Sequence, residues 1–373
     1  MSRLDVVVVG AGLSGLYTCR GLQAAGVSFS VIEARNRPGG RILTEVETGS
    51  STHDAFDLGP SWFWPEVYPP FATLLRELEL AAFEQNTDGD VIVERMSREP
   101  SQRYRRISDG PRSMRIQGGT GALIRRLTEA MPRESISLNS RLTKMSLCEQ
   151  GVDLTVSDVQ GNTKTISTRH VIAALPPRLL EATVSFTPAI DEAVANRWRN
   201  TPTWMAGQAK FFALYDRPFW RESGLSGTAQ SMVGPMAEIH DATTASGGAA
   251  LFGFVGVPAN QRAKFGQDAI ASACVGQLAR IFGPKAGLPL KTLLKDWASD
   301  PFTATERDRT PSHYFGSPNA PWVPSAWQDY LFLSGSETSH IEAGFLAGAL
   351  EAASVAVDRV LRHANVEDRL ATP

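Results

Sequence analysis

The residues most able to do chemistry stand at the start of the chain. Gly10, Gly12 and Gly15 are spaced G-x-G-x-x-G, with Ser14 inside the motif. The first glycine permits a tight turn, the second lets backbone approach a pyrophosphate, and the third allows a helix to pack closely on a strand. Glu33 follows eighteen positions after Gly15. A carboxylate there can accept hydrogen bonds from ribose hydroxyls and repels a 2′-phosphate, which disfavours NADP and leaves NAD and FAD open. The flanking pattern supplies the elements that would position these groups. Val6 to Val9 is a continuous apolar run, as in a strand buried on both faces. Leu13 to Ala25 reads as a helix whose N-terminal N–H groups face phosphate, Gly26 ends it, and "VSFSVIE" gives a second strand.

Four later stretches narrow the cofactor and suggest where a reaction would occur. In "EARNRPGGRILT", Ala34 follows Glu33, and Arg35 and Arg41 bracket Pro38-Gly39-Gly40. Flexible backbone beside fixed guanidinium groups suits a second approach to a pyrophosphate. "AFDLGPSWFWP" then places Gly59, Pro60, Ser61 and Trp62 in an aromatic-rich turn, a small stiff surface for a flat ring system; this favours FAD over NAD. In "MAGQAKFFALYDRPFW" the strand pattern puts Gln208, Lys210, Phe212 and Leu214 on one face. A lysine on an apolar face is either an edge residue whose stem reaches water or a desolvated ammonium kept for a purpose. Near the C-terminus, Leu331–Leu333 reads as a short strand, Gly335 as a turn and Glu337 as part of a Ser-rich loop. Gly344, Phe345 and Leu346 open a helix of small residues. That helix start could offer N–H groups to a flavin, or be the start of an ordinary amphipathic helix.

Taken in order, "VVVVGAGLSGL…VIEARNRPGGR", "DLGPSW", "GGTGALIRRL", "VIAALPP", "K-x₄-Y-x-x-P-F-W" and "LFLSGSETSHIEAGFLAGALEAASVAV" resemble the flavin-containing amine oxidase family, the monoamine oxidase and polyamine oxidase relatives. The resemblance implies a Rossmann-like FAD-binding domain of the glutathione reductase type and a sheet-and-helix substrate domain: α/β joined to α+β, each assembled from discontinuous segments. It implies residues 1–68, 117–199 and 304–362 for the first and 69–116 and 200–303 for the second. Lys210 becomes the catalytic lysine that hydrogen-bonds a water at flavin N5, and Trp297 lies against the flavin. The Phe345–Leu346 backbone faces its O2 end, and Glu337 lies near the pyrophosphate or ribityl. Leu142 meets the adenine or is a plain core leucine. The implied reaction takes hydride from an amine α-carbon to the flavin, returns electrons to O₂ as hydrogen peroxide, and releases an imine that hydrolyses to aldehyde or ketone. Two features depart from the monoamine oxidase pattern. Thr310 stands at about the position of the cysteine that attaches FAD, so the flavin is expected to be non-covalent. Phe345 takes one place of the two cage tyrosines, and Pro311 or a neighbour the other. Other readings are a related desaturase or protoporphyrinogen-type oxidase acting on C–C bonds, against which Lys210 and the "PFW" strand discriminate, and a non-catalytic flavin-binding partner protein, supported only by the missing cage tyrosines.

The 373 residues carry 37 basic and 39 acidic side chains, a balance that points away from nucleic acid or an anionic membrane as partner. The expected partners are a small amine and O₂. Cys19, Cys148 and Cys274 show no metal or disulfide spacing and read as reduced and buried, and the six histidines show no ligand spacing, so no metal is expected. No apolar run reaches the length of a membrane span, and a cytoplasmic location is expected. "RMSREPSQRYRRISDGPRSMR" carries seven arginines, either a solvated hairpin or an arginine-lined mouth for acidic substrates. The stretch between Trp62 and Gly118 holds one helix and a hairpin, which suggests an open entrance. "GSPNAPWVPSAW" reads as a Pro-rich surface crossing.

Overall fold

The computed structural model describes residues 4–46, 54–105, 110–310 and 321–371, with side chains to residue 363. In chain order the strands are β1 (Leu4–Val9), β2 (Phe29–Ile32), β3 (Thr44–Val46), β4 (Ala55–Asp57), β5 (Ala82–Glu84), β6 (Asp90–Glu94), β7 (Gln102–Tyr104), β8 (Met114–Ile116), β9 (Ile136–Ser137) and β10 (Arg141–Cys148). They continue as β11 (Gly151–Ser157), β12 (Thr163–Ala173), β13 (Ser185–Thr187), β14 (Ala209–Tyr215), β15 (Leu225–Ser231), β16 (Met236–Asp241), β17 (Ala249–Val255), β18 (Lys291–Asp296) and β19 (Leu331–Leu333).

The valine run becomes β1, which pairs in parallel with β2 on one side and β12 on the other. Because side chains alternate along a strand, Val6 and Val8 enter one core and Val7 and Val9 another. The first face is covered by helix α1 (Leu13–Ala24), through Leu16, Cys19 and Leu22, and by Val357 and Val360 of the Leu346–Ala371 helix. The second packs with Met145, Val152 and Leu154 of the antiparallel pair β10–β11 and with Trp198 and Trp327. The whole sheet runs β13-β10-β11-β12-β1-β2-β9, with β19 also beside β12. Strand β12 makes this possible. Its first half continues the antiparallel meander, and its second half joins β1 and β19 in the parallel layer.

A second sheet runs β18-β14-β17-β16-β15-β6-β7. One face of β14 packs Ala209, Phe211, Ala213 and Tyr215 against Ile270, Cys274 and Leu278 of the Gln267–Phe282 helix. The other turns Phe212 and Leu214 toward Phe56 and Leu58, which belong to β4 and the turn after it. The seam between β14 and the two-stranded sheet β3–β4 is therefore the apolar face that also carries Lys210.

Three expectations change. Strand β14 has neighbours on both sides, β17 and β18, so Lys210 is no edge lysine. Cys148 ends β10 at the surface and is exposed, while Cys19 and Cys274 are buried. In the Pro-rich crossing, Trp327 is a core residue at 2% exposure, because its ring closes the Trp198 cluster; residues 316–320 lie outside the described residues.

Candidate functional site

A cavity of ≈ 460 Å³ runs from the β1–α1 turn to β14. At its first end Gly10 N–H donates to Ile32 O at 2.8 Å and Gly39 N–H to Ala11 O at 2.8 Å, which brings the 10–15 and 38–41 turns together. A Cβ on Gly12 would meet nothing nearer than Gly39 O at 4.0 Å, whereas one on Gly15 would stand 1.9 Å from Gly10 O. Gly12 thus keeps an open backbone face on the cavity, and Gly15 lets α1 seat directly on the turn. The Ser14 hydroxyl donates to Ser334 O, tying the helix start to the end of β19. Glu33 accepts from Ala11 N–H and Arg35 N–H, both at 2.8 Å, one at each carboxylate oxygen; lone pairs remain for further donors. Ala34 and Leu142 line the same end.

The arginines of the second turn have unequal duties. Arg35 belongs to the cavity wall, yet its guanidinium donates to Asp300 and Thr303 at 2.8 Å each. Burial would raise the Asp300 carboxyl, but Arg35 and Lys295 hold it below the usual range. Arg37, unnoticed in the sequence, donates to Pro38 O, Ile42 O and Gly40 O and so shapes the turn itself. Arg41 forms a two-pronged pair with Glu337, at 2.6 and 3.1 Å, and also donates to Trp204 O. Glu337 accepts in turn from Trp204 N–H at 3.0 Å. Burial alone would push this carboxyl up; Arg41 and the Trp204 N–H bring it below the usual range. Glu337 and Gly15 do not line the cavity; both act through neighbours that do.

At the far end Lys210 Nζ donates to Asp57 O at 2.7 Å, Gly59 O at 3.0 Å and Ser61 Oγ at 2.7 Å. It lies 4.2 Å from the centre of the Phe252 ring. Burial lowers its pKa to about 7; Asp57 opposes the shift and Arg115 adds to it. The Asp57 carboxyl is raised by its own burial, against hydrogen bonds from Thr44 and Thr120. Gly59, Pro60, Ser61 and Trp62 form one wall, and Phe254, the register partner of Lys210 on β17, forms another. Trp297 lines the cavity with its indole N–H on Leu58 O at 3.0 Å. Gly335, Gly344, Phe345 and Leu346 bring the C-terminal segment to the same space. Gly344 has φ +89°, and a Cβ there would stand 2.5 Å from the Trp204 ring, so only glycine fits. The Trp204 ring lies 4.9 Å from that of Phe345.

The family model for flavin-containing amine oxidoreductases matches residues 95–361, and that for an NAD(P)-binding Rossmann-like domain matches residues 8–78. The chain belongs to the flavin-containing amine oxidoreductase family. It is 23% identical over 253 residues to the "Probable flavin-containing monoamine oxidase A" of Dictyostelium discoideum, a match covering 66% of this chain and 52% of that protein. The chain thus spans about half the length of such curated relatives. A solved putrescine oxidase bound to putrescine superposes with a TM-score of 0.79 at 21% identity, over 97% of this chain and 100% of the other. Cyclohexylamine oxidase from Brevibacterium oxydans gives 0.79 at 18%, over 98% and 100%. These likenesses show a common fold, a mixed α/β architecture with a Rossmann-like part.

The family's cofactor, FAD, fits the residues present. The open face of Gly12, the remaining acceptor capacity of Glu33 and the small backbone wall at Gly59 all border one continuous cavity. Sequence reasoning found Lys210, Trp297 and Phe345 among the lining residues but missed Trp204, Gln208 and Phe254. Phe254 reaches the cavity only through β-sheet register, and Trp204 only through the Arg41–Glu337 pair. Gln208, just before β14, was on the Lys210 face by alternation and could have been named. Phe345 is partnered by Trp204 at one wall rather than opposed across a gap; Pro311 lies outside the described residues. Thr310 is exposed and does not line the cavity.

The arginine-rich segment stays outside the cavity lining, with Arg115 alone of its described residues close enough to act on Lys210. Arg115 is buried and donates to Ala242 O and Thr243 O, Arg103 pairs with Asp90, and Arg112 with Glu66. Strand β7 lies five strand spacings from β14, about 24 Å. Arg95, Arg98, Arg103, Arg105, Arg112 and Arg115 do not line the cavity, so the arginine-lined mouth is not found at this site. Residues 106–109 lie outside the described residues. Among the described residues no helix is long and apolar enough to cross a membrane, and no cluster of three or more metal-ligating side chains is found.

Proposed function

We propose that the chain is an FAD-dependent amine oxidase that holds its flavin without a covalent bond. The observation that carries this reading is the placement of Lys210. It is buried at 4% exposure on an interior strand, at one end of a cavity whose other end is the G-x-G-x-x-G turn. FAD, when bound, would accept the hydride from the amine α-carbon and pass the electrons to O₂, giving hydrogen peroxide. The protein's part is position and dryness. Trp62, Phe254, Trp204 and Phe345 would hold the apolar body of the amine and exclude water. Non-covalent binding is supported by the cysteines: none of the three lines the cavity.

The substrate reading follows from the same wall. Arg35 and Arg41 are both engaged by carboxylates, so neither is free to take an amino-acid carboxylate, and aromatic rings dominate the Lys210 end. An amine with an apolar body fits best, and oxidation at nitrogen-bearing carbon is preferred to C–C desaturation because Lys210 stands at the reaction end. The two-domain division at 1–68, 117–199 and 304–362 against 69–116 and 200–303 is part of this proposal, as is a cytoplasmic setting. The test is peroxide release from the FAD-loaded protein across a panel of monoamines, diamines and amino acids. Release with apolar monoamines supports the reading. FAD-loaded protein that releases none with any amine would sink it.

A further inference from the structure

We infer that Ser61 is the hydroxyl that meets the occupants of this cavity. Lys210 acts behind it as the positioning group that decides whether Ser61 offers a proton or a lone pair. The inference rests on the reading of the cavity as an FAD site.

Lys210 Nζ has three acceptors within reach: Asp57 O at 2.7 Å, Gly59 O at 3.0 Å and Ser61 Oγ at 2.7 Å. An ammonium has three hydrogens and no lone pair, so these acceptors occupy it fully. Ser61 then accepts from Lys210 and keeps its own proton. The other acceptor described for that proton is Asp57 O at 3.5 Å, at the outer limit of a hydrogen bond. Ser61 lines the cavity, and its O–H is the donor the cavity receives. Removing one proton from Lys210 reverses this. A neutral amine has two hydrogens and one lone pair. The carbonyls of Asp57 and Gly59 can only accept, so they take both N–H groups. The lone pair is left to Ser61, whose O–H turns back to Nζ. The cavity now meets only Ser61 lone pairs. One proton on Lys210 inverts the polarity of the neighbouring hydroxyl.

Both states are accessible near neutral pH, since burial brings the Lys210 pKa to about 7. The charged groups around it come from every neighbouring element. Asp57 on β4 favours the ammonium and Arg115 on β8 opposes it. Lys295, its register partner on β18, is held by Asp300 at 3.1 Å over the Trp297 ring. From β17 come the uncharged rings of Phe252 and Phe254, 4.2 and 5.7 Å from Nζ. His240 on β16 packs on Phe252 and lies 3.6 Å from Glu238.

The experiment is a pH titration of the visible spectrum of the FAD-loaded protein, without substrate, between pH 5.5 and 9. The wild type and Ser61→Thr are expected to show a one-proton transition with its midpoint near 7. Ser61→Ala and Lys210→Met are expected to lose it. Ser61→Cys, whose thiol is a weak donor and acceptor, reads the same loss should the alanine variant fold poorly. If the ammonium acted on the flavin directly, through its field alone, Ser61→Ala would keep the wild-type transition; that result overturns the inference and leaves the FAD reading intact. A chain that takes up no FAD overturns the FAD reading and the inference with it.

Discussion

Replacing Glu337 by Gln should loosen three segments at once. One carboxylate oxygen accepts from Arg41 at 2.6 Å and Trp204 N–H at 3.0 Å; the other accepts from Arg41 at 3.1 Å and the Ser336 hydroxyl at 3.1 Å. A glutamine can keep the first pair with its carbonyl. Its NH₂ then faces the second Arg41 N–H donor to donor, and the opposite charge is gone. Breaking a buried pair by removing one partner costs about 3–5 kcal/mol. The Glu337 side chain is 3% exposed but Arg41 is 25% exposed, so Arg41 can recover some hydration and the lower end applies. Unfolding entropy of about 2.1 cal/mol/K per residue over 373 residues means that a loss of about 3 kcal/mol lowers Tm by on the order of 4 °C. Thermal unfolding measured by circular dichroism reads this, and the FAD dissociation constant should rise in parallel, because Gly40–Arg41 and Trp204 both line the cavity. In an Arg41→Met background the Glu337→Gln penalty should largely vanish. A Tm within a degree of wild type, or an equal penalty in both backgrounds, would refute the reasoning.

Two further outcomes follow from the same geometry. Lys210 falls from 10.5 to about 7 on folding, so the unfolded chain binds more protons between those values and stability gained from this residue rises with pH through that window. The full swing is on the order of 4–5 kcal/mol. Wild-type Tm should therefore climb relative to Lys210→Met between pH 7 and 9, and parallel curves would tell against a depressed lysine. Gly15→Ala places a Cβ 1.9 Å from Gly10 O and should abolish FAD binding. Gly21→Ala in the same helix meets only Val357 methyls at 3.2 Å and should retain it; fluorescence of released flavin separates the two.

The parts legible in the sequence were those set by local pattern. The β1–α1 turn, the two faces of β14 and the short β19 follow from spacing alone, because strand alternation and glycine geometry act over a few residues. What was not legible depended on distant chain. The acceptors of Lys210 come from residues 57–61, some 150 positions earlier, and Phe254 arrives through register with β17. Arg35 and Arg41 looked equivalent beside the Pro-Gly-Gly turn, yet Asp300 claims one and Glu337 the other. Cys148 was read as buried because the cysteines show no metal or disulfide spacing, but its place at a strand end decides its exposure.

The account stands or falls on FAD lying beside Lys210 and taking hydride from an amine. The direct measurement is an anaerobic titration of the FAD-loaded protein with an apolar monoamine, followed at the flavin's visible absorbance. Bleaching that stays complete until air is admitted is the predicted result. A protein that binds FAD and keeps its colour through every amine offered would contradict the account.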